Sequence, residues 1–280
     1  MGHEVFPRVD APRLACAPAG SVPPLVWCVG MEGSASTWLF NAVLQVAGAM
    51  APGLPPALGR YVVRGEDLAG LPAPGHVTVI KSHAVNPAAA AVLGARSQTL
   101  FVTLRDPRDC IVSLMLYQSR GFASALEAVA RSARTCAEAA GHHAAMVLHY
   151  EMGFPDRPET LDSIAKALGG TLDPAAREAI FARTRRTSIE AEIAGFSLRA
   201  DVHRHPNGDL VDRATQWHRH HAGRSGQIGR WRHFLDIAQA AWIEARFEHW
   251  MDRFGYLAEW IRRGSGPGPG QTVPGAGDPR

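Results

Sequence analysis

At 280 residues, 46% of them apolar and 20% charged, the chain is long enough for one large globular domain or two small ones, and its composition excludes a disordered polymer. Its 29 basic and 26 acidic residues leave a formal charge of +3, too balanced for a nucleic-acid binder held by its overall field, so any anion site must be local. No apolar run approaches the roughly 20 residues that cross a bilayer, and the N-terminus lacks a signal-peptide core, so no membrane association is expected and the cytoplasm is the expected location.

Residues 1–24 contain five prolines and no sustained periodicity, and they read as an irregular lead-in. The first buried strand is LVWCVG from Leu25. It is followed by TWLFNAVLQVAGAM, which places Leu39, Val43, Val46 and Met50 on one helical face. Further strands are expected in VTVIK from Val77, LFVTLR from Leu100 and MVLHYE from Met146, and a long amphipathic helix in FLDIAQAAWIEARFEHWMDRF. Residues 183–233 have weak periodicity and many Arg and His residues, the pattern of a long irregular lid. From Gly264 the chain is nearly all Gly, Pro and small polar residues, a disordered tail by composition. The alternation of strands and helices predicts an α/β fold: one P-loop-like domain over residues 25–263, with a central parallel β-sheet flanked by helices on both sides. The cysteines Cys16, Cys28, Cys110 and Cys136 form no CxxC pair and read as buried free thiols.

Three polar segments fall where strands end, the edge at which open parallel sheets bind ligands. In GMEGSASTWLFN, Gly30 to Asn41, a small-residue loop leads from strand to helix. The unpartnered N–H groups and positive dipole end of that helix suit an anion, with Ser34, Ser36 and Thr37 as hydroxyl donors. An ordinary capped turn would read the same. The loop has neither the Gly-Lys-Ser/Thr ending of a Walker A motif nor the glycine spacing of a nucleophile elbow. In RDPRDCIVS, Pro107 suits the first helical position with Asp106 or a neighbour as cap, and Arg105 with Ser113 could grip one phosphate. In HAGRSGQIGRWRHF, glycines lie among Arg224, Arg230 and Arg232, and no acidic residue occurs between Arg213 and His233. Such a loop can wrap a phosphate or merely be solvated.

In order and spacing, these three segments resemble the cytosolic-type sulfotransferases. In that family a Lys-Ser-Gly-Thr-Thr-Trp loop binds the 5′-phosphosulfate of 3′-phosphoadenosine 5′-phosphosulfate (PAPS), and an Arg-Lys-Gly-x-x-Gly-x-Trp-Lys loop binds its 3′-phosphate. Here they read GSASTW and RSGQIGRWR, and the resemblance covers about Val26 to Phe234. It implies that PAPS is the co-substrate, held by Gly33, Ser34, Ala35, Ser36, Thr37 and Trp38, by Arg105 and Ser113, by Tyr150, by Thr187 and Ser188, and by Arg224, Ser225 and Gly226. It further implies that VIKSHAVNP supplies a catalytic base, His83, and a cation, Lys81, with no metal. The acceptor would be a hydroxyl or amine on a small molecule or glycan. A homodimer is left open. Two departures stand out. Gly33 replaces the loop Lys and Ala35 the loop Gly, which predicts compensation by Lys81 or a lid arginine. Gly33 also keeps a non-catalytic nucleotide binder as an alternative, and a P-loop-type kinase is weaker because its lysine is missing. The histidines His218, His220 and His221 invite a metal, but no Cys or carboxylate partner is evident beside them.

Overall fold

A computed structural model describes residues 25–51, 55–69, 76–204, 208–221 and 226–257. The lead-in, the C-terminal tail, Cys16, Arg224 and Ser225 lie outside the described residues.

Five parallel strands form the centre: β1 (Leu25–Gly30), β2 (Leu58–Tyr61), β3 (Thr78–Ser82), β4 (Ser97–Leu104) and β5 (Ala145–His149), in the order β2-β3-β1-β4-β5. The four expected strands are present. The strand β2 escaped the sequence reading because LGRY is short, mostly exposed and at the sheet edge, so it carries no apolar run.

The remaining helices are α1 (Ser36–Met50), α2 (Pro87–Arg96), α3 (Pro107–Tyr117), α4 (Phe122–Ala139), α5 (Glu159–Ala167), α6 (Pro174–Thr184), α7 (Arg186–Ala194), α8 (Trp231–Phe234) and α9 (Ile237–Arg253). They divide by sheet face because successive strand side chains point to opposite sides. Leu25, Trp27 and Val29 of β1 join the core made with α2, α3, α4 and α9, whereas Val26 and Cys28 join that made with α1, α5, α6 and α7. Both faces of β1 are covered, which is why its six residues are all buried and read as a continuous apolar run. Cys28, Cys110 and Cys136 are buried free thiols, as expected.

The segment expected to be an irregular lid is more ordered than that. It contains α7 and an antiparallel hairpin, β6 (Val202–Arg204) with β7 (Leu210–Asp212). Its sequence misleads because short strands and turns bury few residues. Polar bonds join apolar packing by Ile189, Ile193, Phe196 and Leu210 in holding it: buried Asp212 accepts hydrogen bonds from Arg199 at 2.6 Å and from the N–H groups of Ala214 and Thr215, while the Asn41 amide donates to the Thr215 carbonyl at 2.7 Å. Trp217 packs into the same core as α1. Among the described residues no helix is long and apolar enough to cross a membrane.

Candidate active site

Parallel strands deliver their carboxyl ends to one edge, and a cavity of about 480 Å³ opens there. Residues from all three polar segments line it, together with Lys81, His83 and Tyr150 and a wall from the lid.

The loop after β1 is built by its small residues. A Cβ on Gly30 would lie 2.0 Å from Thr103 Oγ1, so only glycine lets β1 turn away so tightly against β4. Gly33 (φ 90°) and Ala35 (φ 62°) are left-handed, and Ala35 carries there the strain that glycine avoids. No side chain caps α1, and its first turn holds no acidic residue, so its positive end stays open for an anion. Ser36, Thr37 and Trp38 line the cavity with Gly33 and Ala35. Ser34 does not. Its hydroxyl, fully buried, bonds the Met31 carbonyl and Thr103 Oγ1, both at 2.7 Å, and its N–H also donates to Met31. The sequence reading of Ser34 as a ligand donor is therefore corrected: it braces the loop. Trp38 serves the core as well, donating from Nε1 to the Thr184 carbonyl at 2.9 Å and meeting Phe154 edge-on.

Arg105, only 4% exposed, joins the other two segments to this loop. Its guanidinium donates to the Gly33 carbonyl at 2.9 Å and to the Gln227 carbonyl at 3.0 Å, lies 3.7 Å from Asp109 and covers the Tyr150 ring. Among the described residues its Nε is buried without a hydrogen-bond partner. Ser113 stands over Gly33, with its Cβ 3.4 Å from where a Gly33 Cβ would be. Asp109 accepts the N–H groups of Gly229 and Trp231, fixing the C-terminal glycine loop, and Tyr150 donates to the Gly226 carbonyl at 3.2 Å. Thr187 and Ser188 fall outside the cavity lining. Thr187 is exposed on α7 and the Ser188 hydroxyl donates to the Ala182 carbonyl, so neither is brought to the site.

Lys81 and His83, delivered by the end of β3, line the same cavity. Lys81 is 2% exposed, and burial pushes its pKa down to about 8, opposed by Glu32. Its ammonium lies 5.4 Å from the Tyr61 ring centre. The Nδ1 of His83 is 2.7 Å from the Gly30 carbonyl, which can only accept, so Nδ1 carries the proton and Nε2 is left as a lone pair. Burial, then Lys81, pushes the pKa of His83 down to about 3, so the ring is neutral at pH 7. The sequence reading missed Glu32 and Arg120, which line the cavity and pair at 3.3 Å. Glu32 sat in plain view inside the first segment, whereas Arg120 lies between α3 and α4 with no motif to mark it.

The lid wall consists of Asp209, Gln216, Trp217, His218, His220 and His221. The expectation that these histidines lack a carboxylate partner is overturned: Oδ2 of Asp209 lies 2.8 Å from Nδ1 of both His218 and His220.

No protein-family model and no curated protein matches the chain. Among solved structures it is similar to mouse sulfotransferase SULT7A1 complexed with PAP, with a TM-score of 0.57, 15% identity and coverage of 86% of this chain and 88% of that one. It is also similar to retinol dehydratase with androsterone and inactive cofactor PAP (TM-score 0.54, 15% identity, 82% of each chain) and to retinol dehydratase with retinol and PAP (0.55, 14%, 82% of each). The chain has the sulfotransferase fold. At this identity the sulfotransferase fold is what the likeness shows. Its bearing on chemistry comes through the side chains described above.

Proposed function

We propose that the chain is a sulfotransferase that takes a sulfuryl group from PAPS and passes it to a hydroxyl or amine of a small-molecule or glycan acceptor. The observation that carries this reading is His83: a neutral imidazole, with its Nδ1 pinned to the Gly30 carbonyl and Nε2 left as a base, beside a buried Lys81 in one cavity. Similarity to PAP-bound structures supports the nucleotide half. Two features fit such a nucleotide: the uncapped start of α1, and the buried Arg105 Nε, which has a proton to donate and no acceptor among the described residues.

When bound, PAPS supplies an activated sulfuryl group on a phosphate leaving group. The open amides of α1 with Ser36 and Thr37 would hold its phosphosulfate end, and Arg105 with Ser113 its 3′-phosphate. His83 Nε2 accepts the proton of the acceptor hydroxyl or amine as that atom becomes the nucleophile. Negative charge entering the cavity raises the basicity of His83 from its low value, because the imidazolium is then paired. Lys81 offers a positive charge where the transferring group gathers negative charge, the role that the missing lysine at Gly33 leaves open.

Calorimetry with PAP, and turnover with sulfur-labelled PAPS against a panel of hydroxyl and amine acceptors, test the reading together. PAP should bind wild type and His83→Ala alike, while His83→Ala loses about 10²- to 10⁴-fold in turnover. Full turnover by His83→Ala would remove the assigned base. A cavity that ignores PAP would remove the whole reading.

A further inference from the structure

Asp209, His218 and His220 are brought together by the register of the lid hairpin. Val211 of β7 makes an antiparallel bridge with His218, and carrying that register two residues further along each chain sets Asp209 opposite His220. The Asp209 carboxylate is held in place by the Leu210 N–H, which donates to Oδ1 at 3.0 Å, so Oδ2 faces the two rings. Both Nδ1 atoms stand 2.8 Å from that single oxygen, and all three ligand atoms lie within 4.8 Å of one another. His221, the third ring of the group, is excluded because its Nδ1 accepts the His218 N–H at 3.1 Å.

We propose that Asp209 Oδ2, His218 Nδ1 and His220 Nδ1 form a divalent transition-metal site on the lid wall of the cavity, with zinc as its natural occupant. The donor set of two imidazoles and one carboxylate is that of zinc sites with three protein ligands, which keep a further position for water or substrate. Ligands about 2.0–2.2 Å from a tetrahedral ion are separated by about 3.3 Å, so small rotations of side chains already converged at 2.8 Å admit the ion. The hydrogen bonds to Asp209 place the ring protons on Nδ1, so the ion enters as each neutral ring shifts its proton to Nε2. Because the three residues line the cavity, the open position serves a water or an acceptor heteroatom inside it.

The test uses zinc alone, added to chelator-stripped protein and followed by competition with a chromophoric chelator, with cobalt(II) absorption reporting tetrahedral geometry. One equivalent should bind wild type. Asp209→Asn and His220→Ala should each weaken binding by at least the 10- to roughly 100-fold that loss of even an outer partner costs, while the exposed-histidine control His249→Ala binds as wild type. Circular dichroism confirms that each variant is folded. No binding by wild type, or undiminished binding by folded Asp209→Asn and His220→Ala, would overturn the site. Zinc binding is read without nucleotide, so failure of the sulfotransferase reading leaves this measurement intact, and failure here leaves PAP binding intact.

Discussion

On the proposed reading, Lys81 supplies the charge that the family's loop lysine would carry at Gly33. The left-handed backbone at Gly33 (φ 90°) would strain a lysine there, which on that reading leaves the cation to another element. Lys81, buried at the end of β3, lines the same cavity. With its pKa pushed down to about 8, its charge disappears as pH rises through that value. Lys81→Ala should therefore lower turnover by about 10²- to 10³-fold while leaving PAP affinity nearly unchanged. In wild type, turnover should fall above pH 8, and Lys81→Arg should move that limb to higher pH because guanidinium keeps its proton. A pH profile of single-turnover rates decides it, and a wild-type limb unmoved in Lys81→Arg would assign the titration elsewhere.

At the scale of elements, α3 acts as the clamp between loops that are far apart in sequence. Arg105, just before the helix, bonds the carbonyls of Gly33 and Gln227, and Asp109, in its first turn, accepts the N–H groups of Gly229 and Trp231. Burial raises the Asp109 pKa, opposed by Arg105, so its charge is held there by partners and not by water. Asp109→Asn leaves Arg105 uncompensated and turns one acceptor into a donor facing backbone N–H. It should cost about 2 kcal/mol, lowering Tm by about 5 °C, with early proteolytic cleavage near residues 226–231. An unchanged cleavage pattern would mean that the loop is held by other contacts. Neighbouring Arg108, which bonds Asp106 and Glu244, ties the start of the same helix to α9 and leaves Asp109 free for the loop.

For the whole molecule, neutral histidines on the cavity wall make stability depend on pH. His83 is pushed down to about 3 and His218 to about 4, both below the 6.5 of an unfolded chain. Between those values the unfolded state binds more protons than the folded one, so stability is fully present above pH 6.5 and falls as pH drops toward 3. Asp109 and Glu151, whose carboxyls are raised by burial, act in the opposite sense above their unfolded values, so a variant isolates the histidine contribution. Denaturant unfolding of wild type and His83→Gln from pH 7 to pH 4 should diverge below pH 6.5, with His83→Gln losing less stability on acidification. Parallel curves would show that His83 does not supply the linkage.

Periodicity along the chain determined the α/β class, four of the five parallel strands and the long helices α1 and α9, because burial on one or both faces leaves a local apolar pattern that needs no knowledge of the partner. Strand ends and small-residue loops are local signals that exposed the three phosphate-type segments, and the resemblance to the sulfotransferases pointed to Lys81 and His83. Tertiary structure alone decided which of those groups face the cavity. Ser34 turned inward to Thr103, sixty-nine residues away, and Thr187 and Ser188 stayed on α7, whereas Glu32 came from within the first segment and Arg120 arrived without a signal. The pairing of Asp209 with His218 and His220 was hidden for the same reason, and the edge strand β2 because its four residues carry no apolar run. A hydrogen bond is specified by three-dimensional proximity and direction, and no spacing along one strand of sequence reports which distant backbone or carboxylate will come within 3 Å.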